Sequence, residues 1–192
     1  MKLMCDFKIS YDSSVRDADG SVVQFDYGDD GYDATNIVRL PVPESLQQYN
    51  RFEFKHTEEM AILKESTGLD GASEYMTNWK KETGETLISC PADVESFFER
   101  ARVLSEGSKT IERPFHEIYS KCQKFISKIK NELFKNYLIL FLQVRRMRLL
   151  NNQLFDWFLE HLEERIDKAK VHPGEMVGVL AGQSVAEPST QM

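Results

Sequence analysis

The 192-residue sequence predicts a mainly α-helical protein with a small β element, an α+β fold. Three observations predict it. Apolar residues recur at three- and four-residue spacing through most of the chain beyond Pro91. A single short alternating run, Val22 to Tyr27, lies between clusters of turn formers. The composition, 41% hydrophobic against 29% charged, belongs to an ordinary globular chain long enough to bury a core without staples.

In chain order, Leu3, Met4, Phe7 and Ile9 have helix-like spacing and read as the tail of a helix. Residues 10–40 are punctuated by turns at Tyr11-Asp12-Ser13-Ser14, Asp19-Gly20, Gly28 and Asp30-Gly31. Between them a strand near 21–27 places Val23, Phe25 and Tyr27 on one face. After Pro41 and Pro43 comes a polar stretch with helical pieces around 56–66 and 72–82. Pro91 stands in the first turn of a helix to Leu104, with Val94, Phe97, Phe98 and Ala101 inward. A long helix starts near Pro114 and runs to about Leu150. Its stripe is Phe115, Ile118, Tyr119, Cys122, Phe125, Ile126, Ile129, Leu133 and Phe134. Asn151-Asn152 breaks and caps the chain. A helix to Lys170 follows, with Leu154, Phe155, Phe158, Leu162 and Ile166 on one face, and the pair makes a long helical hairpin. Pro173-Gly174 ends it, and Glu175 opens a small-residue helix to about Ala186.

Charge is uneven. The formal net charge is -7, which argues against a free-standing electrostatic DNA binder. Residues 1–50 carry nine acids against four bases, whereas residues 121–148 carry eight bases against Glu132 alone. That basic stretch reads as a solvated helix face whose stems pack on the core, with phosphate contact as the alternative. The longest apolar run, Tyr137 to Leu142, is six residues, so no membrane span is expected. The opening MKLMCDFK has no secretory pattern. Cys5, Cys90 and Cys122 read as buried thiols of a reducing compartment.

Motifs for self-contained chemistry fail on inspection. Asp17-Ala18-Asp19-Gly20 has Val22 and Gly28 where a calcium loop needs Gly and Glu. Asp29, Asp30 and Asp33 read as a loop corner before they read as magnesium ligands. His56, His116, His161 and His172 fit no zinc spacing. No phosphate-binding glycine loop or nucleophile elbow is present. Catalytic and metal-binding residues are therefore expected to be absent from this chain. Gly174, Gly178 and Gly182 recur every four residues. On a helix they would share one side and let another backbone approach closely, at about 1 kcal/mol of helix propensity each.

The run VHPGEMVGVLAGQSVAEPSTQM (171–192) closely resembles the largest subunit of multisubunit DNA-directed RNA polymerases, most of all the RNA polymerase II type. There a PGEMVG…AQSxGEPxTQM segment leads into the trigger loop. A second block, YDSSVR (11–16) with GSVVQFDYGDDG (20–31), is similar to the YDxTVRNxxGxxIQFxYGEDG stretch after the family's bridge helix. Weaker likenesses are CPADVESFFERA (90–101) and LFDW (154–157). The blocks fall in family order. Residue by residue, Ala186 stands where the family usually has glycine and Gly182 where it usually has alanine, so small size is kept.

The resemblance implies three parts: the bridge-helix end and β element (1–40), a foot-like helical region (41–170), and a small-residue helix leading to the trigger loop (171–192). It implies template-directed RNA synthesis from NTPs. The implied partners are the remainder of the largest subunit, the second-largest and smaller subunits, the DNA template and the RNA–DNA hybrid. The location would be the nucleus of a cell, or a large DNA virus and its host cytoplasm. Magnesium would serve the full enzyme and be held by an aspartate-rich loop that this chain lacks, so the chain alone is expected to be inactive. Gln191 matches the family glutamine near the ribose of the incoming nucleotide, and Gln183, Ser184 and Glu187 join the three glycines in positioning the helix. The alternative is a non-catalytic helical interaction module that docks through the 114–170 hairpin.

Overall fold

The computed structural model describes residues 2, 4–42, 68–105 and 114–190, and for Phe115, Val144, Arg145 and residues 188–190 the backbone only. The helical piece expected around 56–66 and the residue Gln191 lie outside the described residues. The chain divides into two compact units, residues 1–37 with 166–192, and residues 38–165.

The larger unit opens with a two-stranded antiparallel ribbon, β4 (Val38–Pro41) on β5 (Leu87–Cys90), in the register Val38 to Cys90 and Leu40 to Ile88. Alternation gives the ribbon a dry face, because Leu40, Ile88 and Cys90 are buried while Leu87 and Ser89 are not. Between the strands, helix α1 (Leu69–Thr83) buries Leu69, Ala72 and Met76 and packs on α4 (Glu132–Phe141). Helix α2 (Val94–Ser105) starts later than its proline suggests. Asp93 is the residue that starts it, accepting from the Ser96 amide at 3.1 Å and the Ser96 hydroxyl at 2.6 Å. Pro91 and Ala92 precede the first turn as buried residues.

The single helix expected from Pro114 to Leu150 is three: α3 (Phe115–Ser127), α4, and the short α5 (Val144–Met147). The physical reason lies in two side chains. Asn131 adopts an extended backbone and accepts from the Phe134 amide at 3.0 Å, which caps a new helix in the middle of an unbroken apolar stripe. Gln143 then donates its side-chain amide to the Leu140 carbonyl at 3.0 Å, satisfying a last-turn acceptor where α4 ends. Burial follows the expected stripe through both helices, with Ile118, Cys122, Phe125, Ile126, Ile129 and Phe134 inward. Helix α6 (Asn152–Ala169) starts where expected, with Asn151 accepting from the Leu154 amide at 2.7 Å.

No hairpin results. Lys121 on α3 pairs with Asp156 on α6 at 2.7 Å, and Lys128 pairs with Glu163. Moving seven residues forward on one helix moves seven forward on the other, so α3 and α6 run parallel. These pairs engage two of the basic residues at the surface of the unit. A third, Arg146, lies 3.9 Å above the Phe141 ring centre and 5.1 Å from that of Phe98, and reaches Glu95 at 3.6 Å. Lys121, Lys128 and Arg146 thus have structural partners, while Lys124, Lys128 and Lys130 are exposed to solvent.

Cys90 and Cys122 are buried, and burial pushes both thiols up to about 12, with Asp93 adding to the effect at Cys90. Cys5 is only half-buried, which corrects the expectation that all three are enclosed. At pH 8 the folded chain is expected to release at most one thiol equivalent to Ellman's reagent, against all three in urea. A thiol whose pKa is raised on folding favours the folded state below the ordinary thiol value. That contribution is lost as pH rises from about 9 towards about 12. Rapid native labelling of two or more thiols would contradict both statements. Among the described residues no helix is long and apolar enough to cross a membrane.

Candidate functional site

The smaller unit joins the two ends of the chain. Its sheet is β1 (Lys8–Ile9), β2 (Val15–Arg16) and β3 (Val22–Gln24), antiparallel in that order. Residues 4–6 form a turn before β1, not the end of a helix, with the Phe7 amide bonded to the Met4 carbonyl at 3.1 Å. The strand expected from 21 to 27 stops at Gln24 and gives way to a 3₁₀ turn, Tyr27–Asp29. Helix α7 (Val177–Thr190) starts two residues later than expected and continues past Glu187-Pro188. Pro188 lies in its last turn and has no amide to donate to the helix.

Two latches hold this unit. In the first, the outer edge of β1 is taken by the chain entering α7. The Ile9 amide donates to the Glu175 carbonyl at 3.0 Å, the Gly174 amide to the Ile9 carbonyl at 2.7 Å, and the Gly178 amide to the Phe7 carbonyl at 3.1 Å. Ile9, Val15 and Val177 form the core beneath, flanked by Phe7, Tyr27 and Val171. In the second latch, Tyr32 bridges to Lys170. The Val171 amide donates to the Gly31 carbonyl at 3.1 Å, and the Asp33 amide to the Ala169 carbonyl at 2.8 Å.

The glycine stripe needs correction at one member. Gly174 lies outside α7, in a turn with φ 89°, a conformation that favours glycine for its backbone and not for helix packing. Gly178 is on α7 and shows the expected close approach in the extreme. A Cβ there would stand 1.6 Å from the Met4 carbonyl oxygen and 2.8 Å from Phe7 Cβ. Gly182 is buried on the same helix. Gln183, Ser184 and Glu187 lie on its exposed side, and the Ser184 hydroxyl donates to the Ala181 carbonyl at 2.8 Å.

The turn expected at Tyr11 to Ser14 carries wiring beyond that expectation, extending to Arg16. Asp12 accepts from the Ser14 amide at 3.1 Å, the Ser14 hydroxyl at 2.5 Å and the Arg16 guanidinium at 2.6 Å. Arg16 also donates to the Ser14 hydroxyl oxygen at 3.0 Å and to the Gly20 carbonyl at 3.3 Å. The Ser14 hydroxyl, followed by the Arg16 guanidinium, holds the Asp12 carboxyl down at about 2. The signal was available: Asp, Ser and Arg at two-residue steps can close a polar ring around a turn.

The acidic corner is similarly occupied. Asp30 accepts from the Tyr32 amide, and Asp33 accepts from Thr35 and Asn36, with the Thr35 bonds foremost in holding its carboxyl below the ordinary range. These carboxylates shape turns and do not fit a magnesium site, and among the described residues no three or more His, Cys, Asp or Glu side chains gather to hold a metal. Tyr27 beside them is pushed up, first by burial, then by Asp33 and Glu175.

Fold and joint together define a helical scaffold segment whose last helix is held, at its base, by backbone contacts to a distant part of the chain. The model of the family RNA polymerase Rpb1, domain 5, matches residues 1–192, and the chain belongs to that family. It is 28% identical over 188 residues to DNA-directed RNA polymerase I subunit rpa1 of Schizosaccharomyces pombe, covering 96% of this chain and 10% of that protein. It is 31% identical over 193 residues to DNA-directed RNA polymerase I subunit 1 of Arabidopsis thaliana, covering 100% of this chain and 8% of that protein. The chain thus spans a tenth or less of these relatives. The match is to a largest polymerase subunit and does not single out the polymerase II type.

Proposed function

We propose that this chain works as part of the largest subunit of a DNA-directed RNA polymerase, in the nucleus, where NTPs are joined to an RNA 3′ end on a DNA template. The observation that carries the reading is the latch between residues 7–9 and 174–178. It brings the two family-like blocks, far apart in sequence, into one unit and sets the direction in which α7 leaves it. In this reading residues 1–40 follow the bridge helix, 41–170 form the foot, and 171–192 carry the chain towards the trigger loop. Gly178 and Gly182 seat the helix, Gly174 turns the chain into it, and Gln183, Ser184 and Glu187 hold its outer side. The partners are the remainder of the largest subunit, the second-largest and smaller subunits, the template and the RNA–DNA hybrid.

Magnesium supplies charge stabilisation at the attacking and leaving oxygens when bound. We assign it elsewhere in the enzyme, because Asp12, Asp30 and Asp33 are occupied by turn hydrogen bonds and among the described residues no three or more His, Cys, Asp or Glu side chains gather to hold a metal. The rival reading, an interaction module docking through a helical hairpin, is less well supported, since α3 and α6 run parallel.

Gln191 tests the reading. Its amide can donate to and accept from sugar hydroxyls, and a site built for a hydroxyl penalises an analogue that lacks it. In the assembled polymerase, Gln191→Ala is expected to lower discrimination between NTP and 2′-deoxy NTP by about tenfold, or ~1.4 kcal/mol. Use of the deoxy substrate is expected to stay near normal. Unchanged selectivity would remove Gln191 from the nucleotide site.

A further inference from the structure

The β1–β2–β3 sheet carries an apolar surface that its own core does not use. Tyr11 is 97% exposed, Phe25 84%, Val23 51% and Val22 43%. Register brings the two aromatic residues to one end of the sheet. Ile9 pairs with Val15 and Val15 with Gln24, so Tyr11, in the turn after β1, and Phe25, just after β3, follow at the same end. Tyr11 sits on a pinned turn, closed by the Ser10 and Ser14 backbone bonds and by the ring of Asp12, Ser14 and Arg16. Little freedom would be lost there on binding. Large aromatic residues held rigid and exposed beside aliphatic ones are the usual anchors of a protein interface.

Charge decides what kind of partner fits. Between residues 10 and 30 there are six acids, Asp12, Asp17, Asp19, Asp26, Asp29 and Asp30, and one base, Arg16. That base is itself bound to Asp12. Asp12 and Asp26 follow Tyr11 and Phe25 directly in the chain, and Asp17 and Asp19 lie in the turn at the sheet's other end, so the rim is negative, repelling phosphate backbones while attracting Lys and Arg. Pairing of a further strand on β3 is disfavoured, because β3 is three residues long and its register slips where it meets Val15 and Arg16.

We propose that Tyr11, Val23 and Phe25 form a docking surface for a protein segment that presents apolar side chains flanked by Lys or Arg. The proposal rests on the reading that the chain is built into a multisubunit polymerase. It is tested in the assembled complex, with photoreactive benzoylphenylalanine replacing Phe25 and, in a second preparation, Tyr11. Both positions are exposed.

Irradiation is expected to link both probes to one protein segment in which Lys and Arg outnumber Asp and Glu. The yield is expected to fall at least about fivefold when Asp19, Asp26 and Asp29 are changed to lysine. Links to nucleic acid, to a second copy of this chain or to an acidic segment would overturn the proposal, as would no link from either position. RNA synthesis by the same preparation separates the two readings. A basic link in a complex without RNA synthesis removes the polymerase reading and leaves the docking surface. RNA synthesis without the basic link does the reverse.

Discussion

Gly178→Ala is expected to release the base of α7 from the strand it is tied to. The added Cβ would stand 1.6 Å from the Met4 carbonyl oxygen and 2.8 Å from the Met4 carbonyl carbon. Backbone cannot rotate aside as a long side chain would, so the helix or the 4–7 turn has to move. Overpacking of a tight site costs about 1–3 kcal/mol, and backbone contact this close puts the change at the upper end or beyond. Helix propensity works in the opposite direction, favouring alanine by about 1 kcal/mol. The two effects differ in sign, so the experiment decides between them.

Amide hydrogen exchange is the measurement. Protection of the Ile9, Gly174 and residue-178 amides, which close the latch, is expected to fall by roughly 2 kcal/mol or more. Gly174→Ala supplies the contrast, because nothing lies within 4 Å of a Cβ there and only its φ of 89° is strained. That change is expected to cost about 1 kcal/mol. Equal effects at the two glycines, or increased protection at 178, would show that close packing is not what glycine provides on this helix.

Much of the helical unit was legible because burial at 3.6-residue spacing is written directly in residue type. The inward faces of α2, α3 and α6 largely follow the periodicity, Phe134 alone anticipates that of α4, and Asn151 caps α6 as its residue type suggests. What was not legible was where a periodic stripe is cut. Asn131 keeps its neighbours in phase while capping a new helix, so hydrophobic period alone passes straight through the break. Direction was hidden for a related reason. A hairpin is the simplest join of two helices, and the ion pairs that make α3 and α6 parallel link residues 35 apart. At the candidate site, small size at 178 and 182 could be read but not what approaches it. The contact is with backbone of the 4–7 turn, and backbone leaves no signature in composition. Gly174 shares their spacing for a conformational reason of its own, which spacing cannot distinguish.

Phe98→Ala is expected to produce the largest loss in the helical unit. The ring is 1% exposed and meets Phe141 at 5.9 Å and Phe158 at 6.0 Å, both edge to face. These rings come from α2, α4 and α6, so one side chain ties three helices that are distant in sequence. Removing a buried phenylalanine costs about 3–5 kcal/mol when the cavity cannot collapse. Collapse is opposed here because the neighbouring rings are themselves fixed, Phe141 stacking on Tyr137 at 6.0 Å and carrying the Arg146 guanidinium. Both tryptophans, Trp79 and Trp157, lie within residues 38–165. Urea unfolding followed by tryptophan fluorescence therefore reports on this unit. Phe98→Leu is expected to recover more than half of the loss, as volume is the main quantity removed. Arg146→Met, made alone and with Phe98→Leu, isolates the contribution of the charge over the rings, expected at about 0.5–1 kcal/mol of coupling. If Phe98→Ala cost less than about 1 kcal/mol, the three helices would have to be held by contacts other than this aromatic cluster.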